Sequence, residues 1–323
     1  MNGRRFLPFA LPIVLPLAAC GCGIPVQVTP APADAPAEVV ALSGASVMIG
    51  VGDIAKCGTQ GDELTAMLVD SVLRADSAAS VENVVFTLGD NAYPNGDARD
   101  FALCFGASWG DSTKGIMTKI RPAPGNHEHR TDGAAPYYQY FGDRAGAPTK
   151  GYYSYDIGAW HALVLNSEIV VNSGFTEAER QAQEDWLRQE LQGAQRLCTI
   201  AYWHNPRFSS GWHGSDVSLQ SLWQILYDGG VDLVLNGHDH NYERFHPQTP
   251  SGMADSVKGI TQYVVGTGGG TLRGFRDQLV ANSAMSVQGH FGVLKLTLGK
   301  EEYRSAFLDV SGRVWDAAGG KCH

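Results

Sequence analysis

The chain has 323 residues, 44% hydrophobic and 18% charged, with 39 glycines and 15 prolines. That length and apolar content allow one large core or two modest ones, and exclude a disordered, collagenous or small disulfide-held chain. A net charge of −9 argues against a reader of nucleic-acid backbones, although metal ions can reverse the sign locally for an anionic substrate.

Residues 1–20 pair Arg4 and Arg5 with an apolar run from Phe6 to Ala19, closing on Leu17-Ala18-Ala19-Cys20. The run is too short for a permanent membrane span and reads as an export signal. Its ending resembles the bacterial lipoprotein signal, which implies a lipid on Cys20 as the only membrane contact of a protein in the cell envelope. Residues 21–43, rich in Pro and Ala without helix or strand period, read as a tether, so the folded domain is expected at 44–323. Four cysteines lie in that domain: Cys57, Cys104, Cys198 and Cys322. An even number in an oxidising compartment predicts two disulfides. Three pairings are open; Cys57–Cys104 with Cys198–Cys322 is favoured, because it ties two early loops together and pins the C-terminus.

From Ser46 onward, β-rich runs alternate with helical stretches, the pattern of a layered α/β fold. Strands are predicted at 46–52, 83–88, 152–156, 159–166, 197–203, 231–235, 260–266 and 292–298. A helix over 62–75 would bury the stripe Leu64, Met67, Leu68 and Val72. A second, over 177–191, opens with Thr176 and Glu179 at capping-box spacing and would bury Trp186, Leu187 and Leu191. A third, over 216–228, stops at Gly229. The strands after Gly266 read as a hairpin completing a second sheet.

Residue types that bind metals fall where these strands end. Val47 to Gly52 leads into Asp53, and Val84 to Gly89 into Asp90, with Tyr93 three residues on. Pro124-Gly125 presents Asn126-His127-Glu128; Thr199 to Trp203 runs into His204; Val231 to Gly237 runs into His238-Asp239-His240. In open α/β sheets ligands bind beyond the carboxyl ends of the strands, so the five clusters should meet at one edge. Each alone has an ordinary explanation as a turn, a cap or a packed histidine.

Together, Gly52-Asp53, Gly89-Asp90-x-x-Tyr93, Gly125-Asn126-His127-Glu128, His204 and Gly237-His238-Asp239-His240 resemble the five ordered motifs of the calcineurin-like metallophosphoesterases. Tyr93 and the tail Asn241-Tyr242-Glu243-Arg244 are similar to the purple acid phosphatase branch. The resemblance covers residues 46–245 and implies a four-layer α/β/β/α sandwich of two mixed sheets with a dinuclear metal site at the strand ends. It implies that Asp53, Asp90, Tyr93 and His240 hold one ion, and that Asp90, Asn126, His204 and His238 hold the other. A phenolate with hard oxygen donors favours Fe3+ at the first site; imidazoles, a carboxylate and an amide oxygen suit Zn2+, Mn2+ or Fe2+ at the second. The implied activity is hydrolysis of phosphomonoesters by a metal-bridging hydroxide without a phosphoenzyme, with a small phosphorylated substrate. His127 and His213 occupy the positions of histidines that contact phosphate or protonate the leaving oxygen. Glu128 and Asp239 read as groups that orient others.

The pattern has departures. Asp53 is followed by Ile54-Ala55-Lys56 where the wider family carries a histidine, and His213-Gly214 stands where plant members carry two histidines. Only a tether precedes Gly44, so the N-terminal domain of the larger plant enzymes is not expected, and a monomer is. A phosphodiesterase or nucleotidase would use the same ligands, and a metal-binding lipoprotein without turnover is the alternative from another class. Gly266-Thr267-Gly268-Gly269-Gly270 reads as a turn at the rim rather than a phosphate cradle, Ser209-Ser210-Gly211 as part of a lid, His161 as core, and Trp203 and Trp212 as packed near the site.

Overall fold

The computed structural model describes residues 42, 45–194 and 197–323. The export signal and tether read in residues 1–43 lie outside the described residues, apart from residue 42. The strands, in chain order, are β1 (Ser46–Val51), β2 (Ala55–Lys56), β3 (Asn83–Leu88), β4 (Ala92–Tyr93), β5 (Ile120–Ala123), β6 (Tyr153–Ile157), β7 (Trp160–Val164), β8 (Cys198–Tyr202), β9 (Leu233–Asn236), β10 (Tyr242–Phe245), β11 (Thr261–Val265), β12 (Ser283–Val287), β13 (Gly292–Leu298), β14 (Glu302–Asp309) and β15 (Val314–Lys321). One sheet has the order β15-β14-β13-β1-β3-β5 and the other β12-β10-β11-β9-β8-β7-β6. β1, β3 and β5 run parallel, as do β7, β8, β9 and β11, and antiparallel strands complete both sheets.

Parallel strands covered on both faces should read as continuous apolar runs, and β1, β7, β8 and β9 are buried along their whole length. The larger core cluster draws Met48, Val85 and Phe86 from one sheet and Trp160, Tyr202, Leu235 and Tyr263 from the other, so it lies between them. The helix Gly61–Ala78 covers the first sheet, adding Ala66, Val69 and Leu73 to that cluster. The helices Glu177–Gly193 and Gln220–Asp228 cover the second through Leu187, Leu222, Trp223 and Leu226. The expected α/β/β/α layering is therefore present.

Two expectations about packing are corrected. On Gly61–Ala78 the buried face is Asp62, Thr65, Ala66, Val69 and Leu73, while Leu64 and Met67 are exposed. The small polar side chains face inward because Thr65 Oγ1 donates to the Gly268 carbonyl at 2.7 Å and accepts from Trp109 Nε1 at 3.1 Å. The C-terminal strands form a meander, β13-β14-β15, that extends the sheet of β1 rather than the other one. The helix at 177–193 carries its capping box as read, with Trp186 and Leu191 only partly buried and Gln183 buried beside Leu187. The turn Val217–Leu219, capped by Asp216, precedes the third helix.

Both favoured disulfides form, Cys57–Cys104 and Cys198–Cys322. The second ties β8 to the chain end just beyond β15. His161 is buried as expected and hydrogen-bonds Asp156 at 2.8 Å. Among the described residues no helix is long and apolar enough to cross a membrane.

Candidate metal centre

The parallel strands deliver their following residues to one edge: β1 to Asp53, β3 to Asp90, β5 to Asn126, β8 to His204 and β9 to His238. Backbone bonds lock this edge, with Gly52 N donating to Val265 O, Asp53 N to Gly89 O and Gly237 N to His204 O. Asp53, Asp90 and His238 have left-handed backbones, with φ of 60°, 49° and 70°. A non-glycine residue there costs about 1–3 kcal/mol, which persists only where the surroundings over-determine the conformation. The glycines in the motifs make room for this. A Cβ on Gly89, itself at φ 82°, would lie 2.6 Å from His204 Nδ1, and one on Gly125 would lie 2.4 Å from Asp90 Oδ1.

The seven candidate ligands come together in two groups that share Asp90. In the first, the Tyr93 hydroxyl lies 2.9 Å from Asp53 Oδ1, 3.1 Å from Asp90 Oδ2 and 3.2 Å from His240 Nε2. In the second, His204 Nε2 lies 3.0 Å from Asn126 Oδ1, 3.1 Å from His238 Nδ1 and 3.4 Å from Asp90 Oδ1. Donor atoms of Asp53, Asp90 and His204 all lie within 4.8 Å of one another, close enough to hold a metal ion. The imidazoles are aimed from behind: His204 Nδ1 meets the Leu88 carbonyl and His240 Nδ1 the Thr271 carbonyl, both at 2.7 Å. A ring nitrogen donating to a carbonyl leaves the other nitrogen's lone pair for the site.

Lone pairs then outnumber hydrogens. One phenolic hydrogen faces three acceptors at Tyr93, and His204 Nε2 faces two oxygens and another ring nitrogen. The charges show the same bias. Burial opposes a charge on His204, yet Asp90 and Asp53 lift its imidazole to about 10, and His240 is raised by Asp53 against its own desolvation. Burial, followed by the Asp53 and Asp90 carboxylates, pushes the Tyr93 phenol well above its ordinary range. The Asp53 and Asp90 carboxylates are held ionised and burial lowers His238 to about 3, so the site concentrates negative charge and lone pairs, and the donor set fits two cations sharing Asp90.

Surrounding groups hold the ligand loops. Buried Glu128 accepts from Asn91 N at 2.9 Å, Ala92 N at 3.3 Å and Gly125 N at 2.7 Å; burial and Asp90 push its carboxyl up to about 8. Buried Asp239 accepts from His213 N at 2.7 Å, Ser209 Oγ at 2.5 Å and Gly214 N at 3.1 Å. Both act as orienting groups, as their positions in the motifs suggested.

His127 and His213 both line the cleft over this centre, a cavity of about 700 Å3. The His127 ring packs 4.3 Å from that of Tyr93, and its Nδ1 lies 2.5 Å from the Pro94 carbonyl. That leaves Nε2 toward the site, 3.7 Å from Asp90 Oδ2. His213 packs 4.2 Å from His238, and its Nε2 lies 3.0 Å from Arg273 Nη1. A guanidinium only donates, so His213 Nε2 accepts and the ring is held neutral. Burial lowers both imidazoles from their ordinary range.

Three secondary expectations fail. Gly268 N and Gly270 N are taken by the Gly52 and Asp53 carbonyls, so the glycine run is a buried packing surface, not a rim turn. Ser209 and Ser210 are buried on Asp239 and Glu243, which leaves no lid there. Trp203 is buried, but Trp212 is 67% exposed. Lys56, Arg99, Arg130 and Arg273, all on the cleft wall, carried no sequence signal because they come from four separate loops and short elements.

A family model described as calcineurin-like phosphoesterase matches residues 49–242. The chain belongs to the calcineurin-like phosphoesterase family. It is 28% identical over 151 residues to Purple acid phosphatase 15 of Arabidopsis thaliana, covering 42% of this chain and 27% of that protein. It is 29% identical over 202 residues to Acid phosphatase type 7 of Homo sapiens, covering 54% and 43%. The chain thus spans less than half the length of these relatives, which put it on the purple acid phosphatase-like side of the family. The purple acid phosphatase PPD1 from yellow lupin seeds superposes with a TM-score of 0.68 at 21% identity, covering 86% of this chain and 54% of that one. GAP50, described as the anchor in the inner membrane complex of Plasmodium, superposes with a TM-score of 0.70 at 16% identity, covering 86% and 89%. Both likenesses establish the fold.

Proposed function

We propose that the protein is a metal-dependent phosphatase that hydrolyses phosphomonoesters. The observation that carries the proposal is the pair of four-donor groups sharing Asp90, set beside two histidines at the floor of one cleft. Asp53, Asp90, Tyr93 and His240 would hold one ion, Fe3+ by the chemistry of the phenol, and Asp90, Asn126, His204 and His238 a divalent Zn, Mn or Fe. Such ions supply an activated water and offset charge on phosphate oxygens. Within that frame His127 faces the leaving oxygen through Nε2, the nitrogen presented to the site while Nδ1 donates to the Pro94 carbonyl, and it gives up a proton there only as the imidazolium. His213, its ring kept neutral by burial and Arg273 and its backbone held by Asp239, positions substrate oxygens instead of donating from Nε2. The two disulfides suit an oxidising compartment, and export with a lipid on Cys20 belongs to the same proposal.

The test is phosphate release by the full chain, purified without chelator, from a matched aryl phosphomonoester and diester, with metal content measured on the same sample. A monoester preference of about a hundredfold or more, with turnover nearly lost in Asn126→Ala and folding retained, supports the proposal. Comparable or reversed rates would make it a phosphodiesterase, and no release from a two-metal protein would make it a binder.

A further inference from the structure

Four cations stand on the wall of a cleft in a chain whose net charge is −9: Lys56, Arg99, Arg130 and Arg273. None of them makes an ion pair with a carboxylate among the described residues, whereas Arg74, Arg188 and Arg244 elsewhere do. Lys56 Nζ rests on Thr271 Oγ1 at 2.6 Å, Arg130 Nη1 on the Pro94 carbonyl at 2.9 Å, and Arg273 on His213. The Arg99 side chain has no hydrogen-bond partner among the described residues. The acidic side chains on the same wall are occupied locally. Asp97 Oδ1 accepts from Asp100 N and Asp100 Oδ2 from Asn95 N, both at 2.8 Å, and Asp90 belongs to the metal centre.

The segments that carry Lys56 and Arg99 are also held in place. Lys56 adjoins Cys57, and Arg99 lies on the short helix Ala98–Asp100 that runs into the turn Phe101–Phe105 carrying Cys104. The Cys57–Cys104 disulfide therefore fastens the Lys56 and Arg99 segments to each other, with both cysteines on the cleft wall. Unpaired cations carried on fastened segments of a cleft focus potential on whatever anion enters it. Two metal ions would offset the charge of a scissile phosphate without them, so these side chains face the remainder of the substrate.

We propose that Lys56 and Arg99, with Arg130 and Arg273 nearer the histidines, form a subsite for a second anionic group, and that the substrate class is phosphomonoesters whose leaving group carries a further negative charge. This rests on the phosphomonoesterase proposal above. That further charge is a phosphate or a carboxylate, and a series of para-substituted phenyl phosphates separates the two. The para groups are carbamoyl (neutral), carboxylate and a second phosphate. In the wild type kcat/KM rises from carbamoyl to carboxylate to phosphate, by about tenfold across the series after the twofold statistical correction for the bisphosphate. The rise shrinks as ionic strength increases. In the double variant Lys56→Gln, Arg99→Gln the three values converge to within about threefold, and in Lys56→Arg, which keeps the charge, the preference is retained. A flat wild-type series, or a preference that survives the double variant, overturns the subsite while leaving the phosphatase standing. If no member of the series is hydrolysed, the phosphatase proposal itself fails. Calorimetric binding of 1,4-phenylene bisphosphate then decides the subsite: weaker binding in the double variant supports it, and equal binding overturns it.

Discussion

Glu128 offers the sharpest test of how the ligand loops are held. Its two oxygens take three backbone N–H groups, those of Asn91, Ala92 and Gly125, and the side chain is fully buried. These donors lie between Asp90 and Tyr93 on one loop and precede Asn126 on another, so one side chain fixes two of the ligand turns. Removing the side chain in Glu128→Ala leaves three buried N–H groups without acceptors, at about 1–3 kcal/mol each. Water entering the vacated space recovers part of this, which gives an expected loss of about 3–6 kcal/mol, a large share of an ordinary domain's stability. Glu128→Gln keeps one acceptor oxygen but turns an amide donor toward an N–H, and should lose about 1–3 kcal/mol. Urea unfolding of chelated protein measures these losses without a contribution from metal binding, provided the slope is unchanged. The expected order is wild type, Gln, Ala. Both variants within about 1 kcal/mol of wild type would refute the clamp.

Tyr93→Phe removes the phenol oxygen of the first group; a visible charge-transfer band in the metallated wild type should vanish, and a colourless, fully metallated and active wild type would eliminate ferric iron at that position. Asp62 is buried at the start of the helix Gly61–Ala78, and burial raises its carboxyl to about 7. A carboxyl whose folded pKa exceeds its unfolded one withdraws stability as pH rises from about 4 through 7. Asp62→Asn should therefore stabilise at pH 8 and do little at pH 4, by about 1–2 kcal/mol once solvent screening is allowed for, as thermal melts at the two pH values would reveal. Loss of Cys198–Cys322, which spans 124 residues, should cost about 2–5 kcal/mol in Cys198→Ser/Cys322→Ser with kcat/KM retained, since neither cysteine lines the cleft. A urea midpoint indistinguishable from wild type would contradict that.

The centre was legible because its ligands follow strands, and strand ends in a parallel sheet share an edge by topology. The apolar runs before Asp53, His204 and His238, buried throughout, and before Asp90, buried at all but Val84, were readable as strands because burial demands apolar side chains on both faces. β5, before Asn126, was not: Ile120-Arg121-Pro122-Ala123 is short and contains a proline that argues against a central strand. It lies at the edge of its sheet, where a proline is tolerated. β15 was hidden by the weak strand formers in Val314–Lys321, whose pairing with β14 decides its conformation. The Gly61–Ala78 stripe misled because helical periodicity scores Leu64 and Met67 as core, while inward hydrogen bonds of Thr65 set the rotation. Arg273 and the other wall cations had no spacing to reveal them, since loop residues meet only after the sheets have closed.

The left-handed residues link the stability of this edge to its chemistry. Asp53 and Asp90 each divide their two oxygens between tasks. Asp53 Oδ2 accepts from His238 N and Asp90 Oδ1 from His127 N, both at 2.8 Å, while Asp53 Oδ1 and Asp90 Oδ2 face the Tyr93 hydroxyl. Each carboxylate thus positions the backbone of another motif while presenting an oxygen to the centre. An extended conformation at Asp53 or Asp90 would relieve about 1–3 kcal/mol of backbone strain but would release both contacts at once. Four of the five motifs are consequently interdependent in space: the aspartates of the first two aim the loops of the fifth and third, and the glutamate of the third closes back on the second. Losing Asp53, Asp90 or Glu128 therefore releases the backbone of another motif as well as its own contact with the centre.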